Sequence, residues 1–565
     1  MSKKIKIIFV GIIFFLSPII ARATVLDFNV DPSYDYQGRS KVTAFVYQVG
    51  ENGYFFVEED FYQSLNDEEK KEFAESVKSL SQEFDEVIYP QLTKIYGSEW
   101  TPGIDGDKKI TVLFSRIKMD SGGYFNAGDE YPKAQVPTSN EREMIYLNAN
   151  YIETPLIKSY LAHEFTHLIT FNQKNKTYGV SEEIWLNEGR AEYAPSFLGY
   201  DKDYEGSNLQ KRVKIFAQNP GDPLTEWKNL SADYGVLNLF IQYLVDHYGM
   251  EVLSDSLHSE KTGISSLSAA LKKAGFAEDF SQIFTDWTIA VLLNDCNLGP
   301  KYCYLNASLK NLKVLPQFNY LPLTGESTTL QVSNYAKDWA GNWIKFIGGQ
   351  GTLKMEFIGD SKVNFKVPYI TQDSSGKYSV NFLKLDDFQQ GNVYIKNFGK
   401  NYSSLTIIPS IQQKLSGFDG IEQFYKFIWS ASMINENTAE EELINNLLSQ
   451  IEFLRAEITK VQAQINAILA ERGQLPLCQK FESNLYYGLT NNSEVRCLQE
   501  FLKKQGADIY PEGQVSGNFL SLTQLAVTRF QEKYAAEILA PFGLKEGTGF
   551  VGSNTRAKMN NLLGK

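Results

Sequence analysis

The segment LAHEFTHLITF, residues 161–171, constrains this chain more than any other. On a helix, His163 and His167 stand one turn apart on the same face, the spacing at which two imidazoles can grip one tetrahedral zinc ion, and Glu164 projects beside them. The chain holds only four histidines, and two of them flank a glutamate at this spacing. A catalytic zinc needs a third protein ligand and an open position for water. Downstream, WLNEGRAEY offers Glu188, 21 positions after His167. Glu192, one turn beyond, would face the same way and could accept the free N–H of a ligating histidine.

A length of 565 residues calls for several units, each with its own core. A net charge of -12 with no basic block excludes nucleic acid as the main partner. The N-terminal stretch MSKKIKIIFVGIIFFLSPIIARA has the lysines, short apolar run and small-residue site of a cleaved signal peptide over residues 1–23, so a secreted, extracellular or envelope-associated protein is expected. The cysteines fall in two close pairs, Cys296 with Cys303 and Cys478 with Cys497, which suits local disulfides outside the cytoplasm.

The expected organisation is multidomain α+β. Residues 24–310 alternate strands, such as residues 108–114, with an amphipathic stretch over 67–95, and then turn helical from Thr154, where Thr154 can cap and Pro155 fits the first turn. A further helix is expected from Ser181, with Glu182 and Glu183 at its positive end. MIYLN, residues 144–148, has the look of an exposed edge strand, with an ordinary structural strand as the alternative. Residues 311–435 alternate aromatic and β-branched residues between Gly, Asn and Asp turns, as a β-sandwich does. Within residues 436–473, Ile444, Leu447, Ile451, Leu454, Ile458, Val461, Ile465 and Ile468 follow heptad spacing, so a coiled coil is expected that could pair two chains or act as a spacer. Residues 478–565 read as a small helical domain.

HEFTH followed by WLNEGRAEY resembles the gluzincin metallopeptidases, and the hyicolysin family most closely; GSEWTPGIDGDKKITVLF, GGYF and SNEREMIYLN extend the likeness over residues 56–306. The resemblance implies a thermolysin-like domain with one catalytic zinc on His163, His167 and Glu188, Glu164 as the base and Glu192 in support. Peptide-bond hydrolysis by a zinc-activated water follows, on protein or peptide substrates. Tyr234 is the preferred oxyanion donor, with Tyr178 and His247 as alternatives. No GxMEN-type segment for gripping a free amine occurs, which favours cleavage inside chains. Asp105 and Asp107 could contribute to a calcium site, without a full ligand set in view. SEVRCLQEFLKKQG, YPEGQVSGNFLSLTQLAVTRFQEKY and GTGFVGSNTRAKMNNLL resemble the peptidoglycan-binding-like three-helix domain, with Leu498, Phe501, Leu502, Val527, Phe530, Met559 and Leu562 facing inward and the cell wall as the implied partner. Hydrolysis of peptidoglycan stem peptides and a non-catalytic envelope adhesin or scaffold stand as alternatives.

Overall fold

The computed structural model of the protein describes residues 24–321, 329–414, 417, 421–434, 444, 447–458, 460, 461, 464, 465 and 480–564. The expected signal peptide, Ile468 and Cys478 lie outside these residues. The chain divides into two compact units, Met1–Glu440 and Glu441–Lys565.

The first unit begins with a six-stranded sheet of β1 (Val25–Asn29), β2 (Lys41–Val49), β3 (Gly53–Glu58), β4 (Ile110–Ser115), β5 (Gly123–Phe125) and β6 (Met144–Asn148), in the order β1-β2-β3-β4-β6-β5. Strands β3, β4 and β6 are parallel, whereas β5 runs antiparallel to β6 at the edge. Successive side chains on a strand point to opposite faces. Here Phe55, Val57, Val112, Phe114, Ile145 and Leu147 enter the main core under the helices. Their neighbours Phe56, Leu113, Met144 and Tyr146 form a second core on the other face. MIYLN is therefore an interior strand, corrected from the edge position expected for it: it is buried at every residue, and β5 takes the edge. An apolar run without alternation is what burial on both faces requires.

Helices cover the first face. After α1 (Glu59–Ser64), α2 (Asp67–Glu83) opens on a capping box between Asn66 and Glu69 and continues through a widened turn, Phe84–Ile88, into α3 (Tyr89–Tyr96). Then α4 spans Leu156–Thr170 and α5 Ile184–Phe197. Thr154 does not cap α4; its hydroxyl donates back to the Tyr151 carbonyl at 2.8 Å. Glu182 and Glu183 stand just before α5, as expected, with Glu183 as its N-cap residue, but the Glu183 side chain makes no capping hydrogen bond. Glu182 is bound by Arg190 at 2.8 Å, and Glu183 accepts from the Trp185 indole at 2.7 Å. The buried Lys174 donates to the carbonyls of Ser256 and Ser259 at 2.9 and 2.7 Å, which ties the segment between α4 and α5 to the end of a later helix.

That helix is α8 (Met250–Leu257), preceded by α6 (Asn208–Gln218) and α7 (Ser231–Tyr248) and followed by α9 (Gly263–Lys273) and α10 (Phe280–Leu293). Cys296 and Cys303 form a disulfide just beyond α10. The described residues between 317 and 434 then form a β region in two layers that, among these residues, pair through Phe398 and Tyr402. Phe346 of one layer packs edge-on against Trp429 of the other at 4.9 Å, within a core common to both. This region is continuous with the helices: Trp339 and Trp343 share the main core with Phe280 and Phe284, and the Trp343 indole donates to the Thr288 carbonyl at 2.9 Å.

In the second unit, helices Ser493–Lys504, Ser521–Lys533 and Ser553–Leu562 enclose Leu498, Phe501, Leu502, Val527, Phe530 and Met559. Leu562, expected to face inward, is instead 42% exposed. The unit contains a repeat the sequence reading missed. Gln499 accepts from the amides of Ser516 and Gly517 and donates to the Asn518 carbonyl and the Thr523 hydroxyl. Gln531 makes the same four bonds, at the same separations, to Thr548, Gly549, Phe550 and Thr555. Cys497 is disulfide-bonded. Among the described residues no helix is long and apolar enough to cross a membrane.

One buried carboxyl pair gives the first unit a pH-dependent stability. Glu130 and Glu143 are 1% and 3% exposed, and neither Glu130 oxygen has a hydrogen-bond partner among the described residues. Burial, and then the Glu143 charge, pushes Glu130 up to about 9. A carboxyl raised in the folded state binds its proton more tightly there than in the unfolded chain, so its contribution is present at low pH and is lost as pH rises from the unfolded value toward the folded one. Thermal melts should therefore show the melting temperature falling between about pH 5 and pH 9, and Glu130→Gln should flatten that fall. An unchanged profile in the variant would contradict this origin.

Candidate metal centre

Helices α4 and α5 pack side by side, and this packing builds the site. His163 and His167 lie on the α4 face turned toward α5, which presents Glu188 to them. The two histidine Nε2 atoms are 3.1 Å apart, and Glu188 Oε2 lies 3.3 Å from the first and 3.5 Å from the second. Bonds of about 2.0–2.1 Å to a tetrahedral zinc separate its ligands by roughly 3.3 Å, so the three atoms already stand at coordination spacing. Glu188 Oε2 is buried and has no hydrogen-bond partner among the described residues. The donor set thus fits a zinc ion. His163, His167 and Glu188 form the one candidate metal group of three such side chains among the described residues.

Both rings are oriented from behind. Nδ1 of His167 is 3.1 Å from Asn187 Oδ1, and Nδ1 of His163 is 3.4 Å from Glu192 Oε1. Occupying Nδ1 in this way aims the Nε2 lone pair at the shared point. Burial works against charge on His167, yet the Glu188 carboxylate raises it to about 9, so a cation binding here has to displace a proton. Burial likewise opposes the ionised form of Glu188, but the two histidines hold it far below the usual carboxylate range.

Glu192 is anchored more firmly than its sequence position reveals. Arg212, from α6, grips it with both arms of the guanidinium at 2.7 and 2.5 Å. Asn208 and Asn238 donate to it at 3.0 and 3.2 Å. Against the effect of burial, Arg212 keeps this carboxyl below its ordinary range. The Arg212 guanidinium in turn lies over the Tyr234 ring at 4.6 Å. Arg212, Asn208 and Asn238 were not read from the sequence, and neither was Asn187, although it stands next to Glu188.

The cluster opens into a cavity of about 550 Å³ lined by Tyr34, Gly123, Tyr160, Glu164, Arg212 and Tyr234 among others. Burial raises the Glu164 carboxyl, the two histidines counter it, and Glu188 and Glu192 raise it again. Gly123, on the edge strand, is required there. A Cβ at this residue would stand 2.5 Å from the Tyr146 carbonyl and 3.0 Å from the Glu164 side chain. Gly189 plays the same part on α5, where a Cβ would come within 3.0 Å of Ile241 on α7. Asn148 fastens the loop before β5 by donating to the carbonyls of Ile117, Lys118 and Ser121.

Tyr234 lines this cavity, and burial followed by the Glu188 and Glu192 charges raises its phenol, which therefore stays protonated. Tyr178 is 42% exposed and outside the lining, and the His247 ring nitrogen pairs with the Cys303 carbonyl at 2.9 Å, so neither alternative reaches the site. Asp105 and Asp107 accept backbone amides of their own turn and join no candidate metal cluster among the described residues.

No family model matches the chain. Among curated proteins, the neutral metalloprotease ShpI of Staphylococcus hyicus is 28% identical over 193 residues, a match covering 30% of this chain and 41% of that protein. The chain therefore spans less than half the length of the curated relative it matches. Among solved structures, it aligns with the pre-peptidase C-terminal domain of a collagenase from Bacillus anthracis at 10% identity and a TM-score of 0.13, covering 20% of this chain and 96% of that one. A family GH115 4-O-methyl-alpha-glucuronidase aligns at 9% identity and a TM-score of 0.14, covering 57% and 51%. Likenesses at those scores carry no argument. The similarity to ShpI is a distant relationship to a metalloprotease.

Removing a carboxylate that orients a metal-binding histidine costs about 10- to 100-fold in metal affinity. Glu192→Ala should weaken zinc binding by that factor in a chelator competition. It should also lower unfolding stability by about 3–5 kcal/mol, because Arg212 is left buried without its counter-charge.

Proposed function

We propose that the chain is a secreted zinc-dependent endopeptidase of the gluzincin type, with a thermolysin-like catalytic fold. The observation that carries this reading is the convergence of His163 Nε2, His167 Nε2 and Glu188 Oε2 beside Glu164, in a cavity bordered by a sheet edge. The distant likeness to a neutral metalloprotease supports it. Zinc bound by these three residues would supply a Lewis acid that polarises the substrate carbonyl and lowers the pKa of water.

The chain's own groups do the rest. The free edge of β5 offers backbone groups to an extended substrate, which adds there as a further strand. Glu164 accepts a proton from the attacking water and delivers it to the leaving amine. Tyr234 donates its O–H to the oxygen on which charge develops. Burial raises the Glu164 carboxyl above its ordinary range, which suits it to that exchange.

Binding to the cell wall through the second unit, and self-association through residues 444–468, complete the proposal. The first rests on the peptidoglycan-binding-like resemblance. The second rests on Leu447, Ile451, Leu454 and Ile458, apolar heptad residues that are 46–65% exposed.

In purified protein, Glu164→Ala should retain one zinc per chain and lose turnover, while Glu188→Ala should lose the metal. Zinc well below one equivalent in the wild type, with no change on Glu188→Ala, would defeat the site. Casein and purified cell wall offered separately should show casein cleaved and the protein co-sedimenting with wall. Release of wall peptides with casein intact would instead favour stem-peptide hydrolysis. Sedimentation velocity should give a species of twice the chain mass, and a monomer at every concentration would remove self-association.

A further inference from the structure

A second phenol enters the cavity from the N-terminal end of the chain. Tyr34 lies in the turn that follows β1, far in sequence from both metal-site helices, and lines the same space as His163, Glu164, Glu188 and Tyr234. Its ring is held in a column of three. It stacks on Tyr124 of β5 at 4.6 Å and 19°, and Tyr124 stacks on Tyr146 of β6 at 4.2 Å and 8°. Tyr146 donates its hydroxyl to Asp129 at 2.7 Å, which fixes the base of the column.

The backbone that carries Tyr34 is equally constrained. Asp35, 4% exposed, accepts from the amides of Gln37 and Arg39 and from the Arg39 guanidinium. Arg39 also reaches Glu58 at 2.6 Å, and Arg116 holds the same carboxylate at 3.0 Å. The Tyr34 carbonyl accepts from the Lys118 amide at 2.9 Å. A donor fixed by so many partners before substrate arrives needs little reorganisation during reaction, the condition under which a hydrogen bond lowers a barrier most.

The cavity walls come from two sources. One comprises the Tyr34 turn, Lys118 and residues 120–125, which include the edge strand; the other comprises residues of α4, α5 and α6 with Asn229, Ser231 and Tyr234. Tyr34 lies on the first wall, and Asn229, at a positive φ of 58° before α7, lies on the second. Burial, followed by the charges of Glu164 and Glu188, raises the Tyr34 phenol, which keeps its proton.

We infer that Tyr34 is a catalytic residue: its phenol O–H donates to the scissile carbonyl oxygen and, with Tyr234 from the other wall, stabilises the oxyanion. This rests on the hydrolase reading above. In the step concerned, water oxygen bonds to the carbonyl carbon and the C=O π pair moves onto oxygen. Tyr34 donates a hydrogen bond without losing its proton, and the later C–N cleavage places on nitrogen the proton Glu164 took from water. The position differs from every donor considered from the sequence, since Tyr34 precedes the histidines by more than a hundred residues.

The test uses the full zinc-loaded chain and an internally quenched peptide. Losing one oxyanion donor costs about 10²- to 10³-fold in kcat. Tyr34→Phe keeps the ring stack, so it should lower kcat by about 10²-fold, with KM within about threefold and zinc content and melting temperature unchanged. By calorimetry, the variant should bind a phosphinic peptide, which mimics the tetrahedral state, about 10²-fold more weakly, yet bind the cleaved products as the wild type does. Wild-type kcat with unaltered phosphinate affinity, or a loss confined to KM, would overturn the assignment of Tyr34 alone, provided Glu164→Ala is inactive. Absent wild-type turnover, or turnover that survives Glu164→Ala, would overturn the hydrolase reading and this assignment with it.

Discussion

Glu192 is an ionised carboxylate in the interior, and the arrangement of the site depends on how its charge is met. Arg212 binds it with two parallel hydrogen bonds, Asn208 and Asn238 add two more, and one oxygen remains within 3.4 Å of His163 Nδ1. An isolated buried charge would be prohibitively costly, so these partners have to be supplied together. Their joint geometry sets the spacing of α5 and α6 and aims His163. It also stations the guanidinium against the Tyr234 ring, and a single ion pair thereby connects the candidate metal-binding face to the wall that carries a candidate catalytic phenol.

On the other side of His163 the logic reverses. Two imidazole nitrogens and a carboxylate oxygen crowd within 3.5 Å of one another, and Glu188 Oε2 makes no well-aligned hydrogen bond among the described residues. Such a cluster costs stability unless a cation or a proton occupies it, and the surroundings carry that cost. The Lys174 and Arg190 bonds lock the α4–α5 connection to α8, while Asn148 staples the loop ahead of the edge strand. Gly123 and Gly189 permit the close approaches that a side chain would forbid. The β region adds to this rigidity by placing Trp339 and Trp343 in the same core as α10. The second unit has its own economy: two glutamines 32 residues apart each clamp one turn by an identical four-bond pattern, so one solution to an unsatisfied turn is used twice.

Much of the candidate site was legible because its signals are local. The spacing from His163 to His167 and from Glu188 to Glu192 specifies a shared helix face whatever the rest of the chain does, and the close cysteine pair 296 and 303 is joined. Local readings failed where a second element competed for the same group. MIYLN suits an edge strand until β5 pairs on its open side. Leu562 has the right helical phase to face inward, yet it falls in the last turn, beyond the reach of the core.

By itself, then, the sequence determined which side chains could hold a metal and which glutamate stands beside them, because helical periodicity places residues four apart on one face without outside help. It also marked the β-rich stretch, whose alternation follows from the geometry of a single strand. Only the tertiary structure decided that Arg212 neutralises Glu192, that β5 borders the cavity, and that Tyr34 reaches it across a stack of three tyrosines. Those relations join residues far apart in the chain. They depend on how whole elements pack, and no local periodicity records that.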